Sequence, residues 1–311
     1  MKKILVTGGT GFIGTHLCKE LVKNKNNYVI SLDNFNSGQK KNLIYFKNKI
    51  NFKFIKHNIQ KKISIDADEI YNLACPASPK IYQEDPVYTI KTCIIGTLNL
   101  LENAKKYNSK FFQASTSEVY GNPSLHPQPE SYWGNVNPIG IRSCYDEGKR
   151  GAETLCFDFH RQYNLQIKVA RIFNTYGPHM YQFDGRVISN IILQALKNKE
   201  INIYGDGQQT RSFCYIDDLI SGITKLMSTK KNFLGPVNLG NPNEISILSI
   251  AKKIIKLTNS KSKIIYKKLP KDDPIRRKPN INKAKKELKW YPKIDLDLGL
   301  IKTIKYYKNL D

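Results

Sequence analysis

Apolar residues follow a repeating rhythm through the first half of the chain. Lys3–Thr7 is a short apolar run of strand type, and after a cluster of glycines Phe12, Ile13, Leu17, Leu21 and Val22 fall at helical spacing. Tyr28–Leu32 is apolar again and stops at Asp33. Strand, turn, helix and strand within about 30 residues is the size of one βαβ unit. The alternation continues with predicted strands at Phe52–Ile55, Glu69–Ala74, Lys110–Ala114 and Gln166–Phe173, and with predicted helices over Pro86–Tyr107 and Arg142–Tyr163. Such alternation predicts an α/β fold, a doubly wound parallel sheet covered by helices on both faces.

After Asn174 the rhythm loosens. Gly and Pro become frequent, a short strand is predicted at Ile201–Tyr204, and helices are predicted at Arg186–Lys197, Asp217–Met227, Ile247–Leu257 and Leu298–Tyr307. The expectation is a sheet domain over residues 1–175 and a smaller substrate-binding domain over 176–311, with 211–240 a candidate to return to the first. The smaller part is expected to close over the carboxyl edge of the sheet, where doubly wound folds bind ligands.

Charge complicates this reading. Among 311 residues, 50 Lys and Arg stand against 26 Asp and Glu, a net charge of +24 that ordinarily suggests a polyanionic partner. The make-up argues otherwise: 42 of the basic residues are Lys and 8 are Arg, the side chain whose planar fork suits phosphate and base edges. Residues 1–110 carry +10, residues 251–311 carry +13, and the stretch between them carries +1. No apolar run reaches the ~20 residues of a membrane span. Ile4-Leu5-Val6 after Met1-Lys2-Lys3 is far short of a secretory core, so a cytoplasmic protein is expected. The six cysteines form no Cys-x-x-Cys pair and have no His at zinc spacing, which predicts free thiols and no metal.

Gly8-Gly9-Thr10-Gly11-Phe12-Ile13-Gly14 contains G-x-G-x-x-G with a strand before it, a helix opening within it and an acid at the end of the next strand. Gly8, Gly11 and Gly14 allow the sharp turn of a Rossmann dinucleotide site, and the backbone of Phe12 and Ile13 opens the helix whose N-terminus attracts pyrophosphate. Asp33 stands where a carboxylate accepts a ribose 2′-hydroxyl and repels a 2′-phosphate. NAD is therefore expected rather than NADP.

Tyr145 and Lys149 lie one helical turn apart on one face, where an ammonium can lower a phenol pKa and yield a general base. Chance alone gives roughly two Y-x-x-x-K matches in this composition, and Tyr45…Lys49 is a second one. Position separates them. Tyr145 opens the helix after the fifth strand, whose end Ala114-Ser115-Thr116-Ser117-Glu118 brings a hydroxyl from Thr116 and a carboxylate from Glu118 to the same crevice; a capping role for Glu118 remains the plain alternative.

The segments Thr7–Gly14, Asn72–Pro79, Ala114–Gly121, His126–Glu130, Tyr132–Gly140, Ser143–Arg150, Arg171–Pro178 and Asp206–Asp218, with Asp272-Asp273-Pro274 and Arg277-Lys278-Pro279, resemble the extended short-chain dehydrogenase/reductase family. Within it the chain is most similar to the UDP-glucuronic acid decarboxylases. The resemblance implies NAD-dependent conversion of UDP-glucuronate to UDP-xylose and carbon dioxide. It implies Tyr145 as base at the sugar C4 hydroxyl, Thr116 sharing its hydrogen bond, Lys149 holding tyrosine and ribose, and Glu118 with Arg277 around the sugar carboxylate; Arg276 is one register step away. It places Asn174 and Arg211 at the diphosphate and Lys91 near the substrate, and Asn34, Ser37, Gly38, Asn58, Ile59, Leu73 and Thr92 around the cofactor. By position alone Asn174 could cap a turn, Arg211 could pair with Asp217 or Asp218, and Lys91 could be one surface lysine among many. Two departures stand out: Gln39 replaces a common Arg, and Asn58 replaces an Asp that usually meets adenine, although an amide can still accept a hydrogen bond there. A homodimer pairing the helices at Pro86–Tyr107 and Arg142–Tyr163 is implied as well. The alternatives are a related 4-epimerase or dehydratase, the latter disfavoured by Ser117 before Glu118, and more remotely a non-catalytic NAD-bound or nucleic-acid-binding protein.

Overall fold

The apolar runs of the first half become strands, most of them buried on both faces and so nearly continuous hydrophobic stretches, with the edge strand at Phe52–Lys56 only partly covered. They are β1 (Lys2–Thr7), β2 (Asn27–Asp33), β3 (Phe52–Lys56), β4 (Glu69–Asn72), β5 (Lys110–Thr116) and β6 (Ile167–Ile172). Short strands follow: β7 (Thr175–Tyr176), β8 (Ile201–Tyr204), β9 (Thr210–Ser212), β10 (Cys214–Tyr215), β11 (Val237–Leu239), β12 (Glu244–Ser246), β13 (Ile264–Lys267) and β14 (Arg276–Arg277). The computed structural model describes residues 1–268 and 276–310, so the Asp272-Asp273-Pro274 stretch lies outside the described residues.

Seven parallel strands form the main sheet in the order β11-β6-β5-β4-β1-β2-β3. The order reverses between β1 and β4, which opens a crevice at the carboxyl edge of the sheet. Side chains alternate across the sheet with the period of two that strands impose. Ile4, Val6, Val29, Phe112 and Ala170 enter one core, while Leu5, Ile30, Leu32, Phe111, Ile167 and Val169 enter the other.

The helices are α1 (Phe12–Leu21), α2 (Pro79–Glu84), α3 (Pro86–Lys91), α4 (Thr97–Tyr107), α5 (Ser143–Tyr163), α6 (Val187–Leu196), α7 (Ile216–Met227), α8 (Ile247–Thr258), α9 (Asn282–Leu288) and α10 (Leu296–Lys308). On one face α4 and α5 contribute Leu100, Leu101, Cys156 and Phe159 to the second core. On the other face α1 packs against α7, and the first core runs on without a break to Ile191, Ile192, Ile250, Ile254, Trp290 and Leu300. The C-terminal part adds a three-stranded sheet in the order β12-β9-β14 and a β13-β8 pair, while β11 joins the main sheet beside β6.

Two local differences from the sequence reading matter for the site. The helix expected over Pro86–Tyr107 is α3 and α4 joined by a π-helical turn at Thr92–Gly96, which re-aims the residues it carries. Asp85 starts α3 by accepting the Tyr88 N–H (2.9 Å), with Pro86 in the first turn, and α2 just before it has no periodic signal long enough to be read. Both α4 and α5 end on an asparagine in the left-handed region, Asn108 (φ 52°) and Asn164 (φ 54°), the short polar residue that tolerates that conformation. Among the described residues no helix is long and apolar enough to cross a membrane.

Candidate active site

A cleft of ≈ 660 Å³ opens along the carboxyl edge of the main sheet and is walled on its far side by the C-terminal part. Its floor begins at the glycine turn. Gly8 lies at φ +70°, and a Cβ there would stand 2.9 Å from the backbone of Leu73 and Ala74. A Cβ on Gly14 would come within 2.1 Å of the Gly8 carbonyl oxygen, so the turn closes only with glycine at both positions. Gly11, Phe12, Ile13 and Gly14 line the cleft where α1 begins, and the first N–H groups of a helix have no acceptor within it. This is a cradle for an anion such as pyrophosphate.

Asp33 ends β2 and is buried. Its Oδ2 accepts the Thr10 N–H (3.1 Å) and its Oδ1 accepts the Phe35 N–H (2.8 Å), which fixes the carboxylate and leaves each oxygen a further lone pair. Gly38 crosses directly over it, where a Cβ would be 2.7 Å from the carboxylate. Asn34, Ser37, Asn58, Ile59, Leu73 and Thr92 line the same wall. Cross-links hold that wall: Asn34 Nδ2 donates to the Tyr88 hydroxyl (2.6 Å), and Gln60 Nε2 donates to Thr92 Oγ1 (2.8 Å). His57 lines the cleft too, and its Nε2 is buried with no hydrogen-bond partner. A glycine cradle, a fixed carboxylate and an orphaned imidazole nitrogen fit a dinucleotide.

Tyr145 stands in the first turn of α5, buried, with its ring stacked on Tyr82 at 5.0 Å and 4° between planes. Burial pushes the phenol well above its ordinary pKa and the Cys75 thiol adds to this, while the hydrogen bond with Thr116 and the Arg186 guanidinium pull it down. Lys149 is buried one turn on and donates its ammonium to the Ala114 carbonyl at the end of β5 (2.9 Å). The sequence reading expected that ammonium to depress the tyrosine. Instead Lys149 is held by the strand end, 5.7 Å from the tyrosine ring centre, and desolvation dominates.

Glu118 occupies a 3-10 turn after β5, between two arginines. Its Oε1 pairs with Arg277 and its Oε2 with Arg142. Burial alone would raise this carboxyl, but Arg277 and then Arg142 outweigh it and hold the pKa down at about 2. Arg277 is itself buried in β14, donates Nη2 to the Gly121 carbonyl (2.8 Å), and has an Nε with no hydrogen-bond partner. In register beside it on β9 stands Arg211, whose Nη1 donates to the Thr210 carbonyl (2.9 Å). Asn174 follows β6, with its carbonyl accepting the Cys214 N–H (2.8 Å), and also lines the cleft.

Of the residues singled out from sequence, Lys91 alone is not brought in: it ends α3 with an exposed side chain and does not line the cleft. The π turn that follows presents Thr92 to the cleft and leaves its neighbour on the outer face. Three contributors carried no motif and were missed. Arg142 bridges Glu118 and Asp146; Arg186 ties the second half to the Pro76–Pro79 loop through the Ala77 carbonyl (3.0 Å); Tyr82 covers the Tyr145 ring. The scarcity of arginine was the available signal, since four of the eight line this cleft.

A parallel sheet with a glycine turn after β1, a Tyr-x-x-x-Lys helix against the end of β5 and a C-terminal part closing the cleft defines an extended short-chain dehydrogenase/reductase. Residues 5–303 match the GDP-mannose 4,6 dehydratase family. UDP-glucuronic acid decarboxylase 3 of Arabidopsis thaliana is 51% identical over 298 residues, covering 96% of this chain and 86% of the relative. UDP-glucuronic acid decarboxylase 1 of Xenopus tropicalis is 49% identical over 307 residues, covering 99% of this chain and 72% of the relative. The crystal structure of UDP-glucuronic acid 4-epimerase from Bacillus cereus, in complex with UDP-glucuronic acid and NAD, superposes with a TM-score of 0.90 at 33% identity over 99% of this chain and 100% of that one. The chain belongs to the UDP-glucuronic acid decarboxylase family.

Proposed function

We propose that this chain decarboxylates UDP-glucuronate to UDP-xylose with NAD as a recycled cofactor. The observation that carries the reading is Arg277, a buried guanidinium delivered by β14 to Glu118 beside Thr116 and Tyr145. A forked cation there suits the C6 carboxylate that distinguishes glucuronate from a neutral sugar.

Gly8, Gly11, Gly14 and the opening N–H groups of α1 would hold the cofactor pyrophosphate, and Asp33 would take the ribose hydroxyls. NAD bound there would supply the hydride acceptor and donor that C4 requires. Tyr145 takes the C4 hydroxyl proton at the phenol oxygen of its ionised form, which burial opposes and which the Thr116 hydrogen bond, the Arg186 guanidinium and the positive charge of a bound oxidised nicotinamide would favour. Lys149 holds the strand end and would hold the ribose. A ketone at C4 is β to the C6 carboxylate, so the C5–C6 bond pair flows into it, carbon dioxide leaves, and the resulting enolate takes a proton from solvent at C5, while the proton held by Tyr145 returns to O4 when the ketone is reduced. Arg277 orients the carboxylate before it departs. Glu118, ionised at neutral pH, keeps Arg277 and Arg142 in place. Arg211 and Asn174 take the diphosphate.

We assign the dimer to the surface of α3, α4 and α5, because Val87, Ile90, Ile95, Leu98 and Tyr163 leave an apolar band exposed there. Light scattering at micromolar protein tests this; a monomer refutes it. The function is tested by NMR product analysis from UDP-glucuronate with and without added NAD. Carbon dioxide and a UDP-pentose are expected, and UDP-galacturonate with no gas refutes the assignment in favour of 4-epimerisation.

A further inference from the structure

The cleft wall also holds two thiols that the proposed reaction does not use. Cys75, in the loop after β4, lines the cleft, and Cys93, in the π turn between α3 and α4, is buried behind it. Their sulfurs are 3.2 Å apart although 18 positions separate them, and both are free thiols. The π turn, with its one extra residue per turn, carries Cys93 against the catalytic helix. It meets α5 at Gly148, between Tyr145 and Lys149, where a Cβ would stand 2.9 Å from Cys93 Cβ and 3.1 Å from its sulfur. Cys75 donates to the Pro76 carbonyl (3.2 Å) at the start of the segment whose Ala77 carbonyl holds Arg186.

We propose that Cys75 and Cys93 are an oxidation site: a spatially adjacent dithiol that a peroxide converts to a disulfide, reversibly disarming the cleft. Cys75 is the attacking sulfur. Burial would raise its pKa, but the hydrogen bond from Cys93 and the Lys149 ammonium outweigh burial and hold it below the ordinary thiol value. Its exposure to the cleft gives a small peroxide access. The Cys75 thiolate attacks one peroxide oxygen, the O–O bond breaks, and the leaving oxygen departs as water after taking a proton. Cys93 then attacks the Cys75 sulfenic sulfur; the S–O bond breaks and a second water leaves. Two thiols lose two electrons and the peroxide gains them.

A disulfide bond of ~2.05 Å requires the sulfurs to close by about 1.2 Å from their present separation. The movement is taken up by the Leu73–Pro79 loop or by the contact of the π turn with Gly148, and both border Tyr145. Misplacing a positioning element by about 1 Å costs on the order of 10²-fold in turnover.

The test treats the full-length protein with hydrogen peroxide, counts free thiols after denaturation, and maps disulfides by mass spectrometry of non-reduced peptides. The six free thiols are expected to fall by two, with a Cys75–Cys93 linkage, and UDP-glucuronate turnover to drop tenfold or more and return with dithiothreitol. Cys93→Ser is expected to keep basal turnover and to form no disulfide at Cys75, which stops at the sulfenic acid and is trapped there by dimedone. Cys144→Ser, which removes the thiol that donates to the Tyr82 carbonyl nearby, is expected to respond like the parent. The absence of a Cys75–Cys93 linkage in oxidised parent protein overturns the proposal, as does a peroxide-dependent loss of two thiols in Cys93→Ser equal to that of the parent. The linkage map is read on the unsubstituted chain, so it decides the matter even if a variant fails to fold or the substrate assignment is wrong.

Discussion

Asp146 offers a test of how the site handles charge. It follows Tyr145 on α5, is buried, and has Oδ2 3.9 Å from Arg142 Nε while Oδ1 has no hydrogen-bond partner. Burial, and then the negative charge of Glu118, push its carboxyl up to about 7, against the pull of Arg142 and Arg277. The unfolded chain releases this proton near pH 4 and the folded chain only near pH 7, so between those values the native state binds more protons. Stability from this group is therefore fully present below pH 4 and is lost as pH rises through 7. From pH 5 to pH 8 the loss spans about two pKa units, or about 3 kcal/mol. Glu118 titrates at about 2, below this window, and stays ionised throughout it. Asp146→Asn keeps the shape and removes the titration. Urea unfolding of parent and variant at pH 5 and pH 8 gives the measurement: the variant's advantage should grow by about 3 kcal/mol across the interval. An advantage that stays flat, or one that shrinks, refutes the placement of a reluctantly ionised acid beside the catalytic tyrosine.

Other perturbations probe other links. Tyr145→Phe should retain NAD and UDP binding by calorimetry and lose turnover by roughly 10²–10⁴-fold; near-normal turnover removes the tyrosine from its role. Gly14→Ala forces a Cβ to 2.1 Å from the Gly8 carbonyl oxygen, against 3.2 Å for Gly11→Ala, so NAD titrations should show tenfold or more weakening for the first and a smaller effect for the second. Below the site, Arg171 grips buried Glu153 with two nitrogens at 3.0 and 2.8 Å. Arg171→Met strands that carboxylate and should cost about 3–5 kcal/mol in unfolding experiments, with a smaller loss in Arg171→Met/Glu153→Leu than the single changes sum to.

The parts of the fold legible in the sequence are those where one local rule dominates. Strands buried on both faces are rich in apolar residues on both, so β1, β2, β5 and β6 stood out, and the glycine turn announced itself because steric closure at Gly8 and Gly14 admits no side chain. The strands β9, β12 and β14 are two or three residues long and exist by pairing with one another, so no periodicity could reveal them. The same holds for the site. Tyr145 and Lys149 are fixed by helix spacing, whereas Glu118 and Arg277 meet across 159 positions through a strand pairing that only the folded chain possesses. Arg277 was reached by resemblance, and Arg142 and Arg186, which lack a motif, were not reached at all.

The net charge of +24 gains a different meaning from where its members stand. Of the 42 lysines, among the described residues only Lys149 lines the cleft, whereas Arg142, Arg186, Arg211 and Arg277 all do. A nucleotide sugar acid brings a diphosphate and a carboxylate, each of which presents paired oxygens that a guanidinium can meet with two parallel N–H groups and an ammonium meets with a point charge. Placing arginine there has a cost in self-repulsion, and the structure offsets it with acids that the reaction does not consume. Glu118 sits between Arg277 and Arg142, and Asp184 lies 3.5 Å from Arg186 Nε. These carboxylates hold the forks in their rotamers before substrate arrives, so less ordering remains to be done on binding. On the proposed function, selectivity for an anionic sugar would reside in a few braced arginines, while the lysine excess follows the solvent-facing surface of the two ends of the chain.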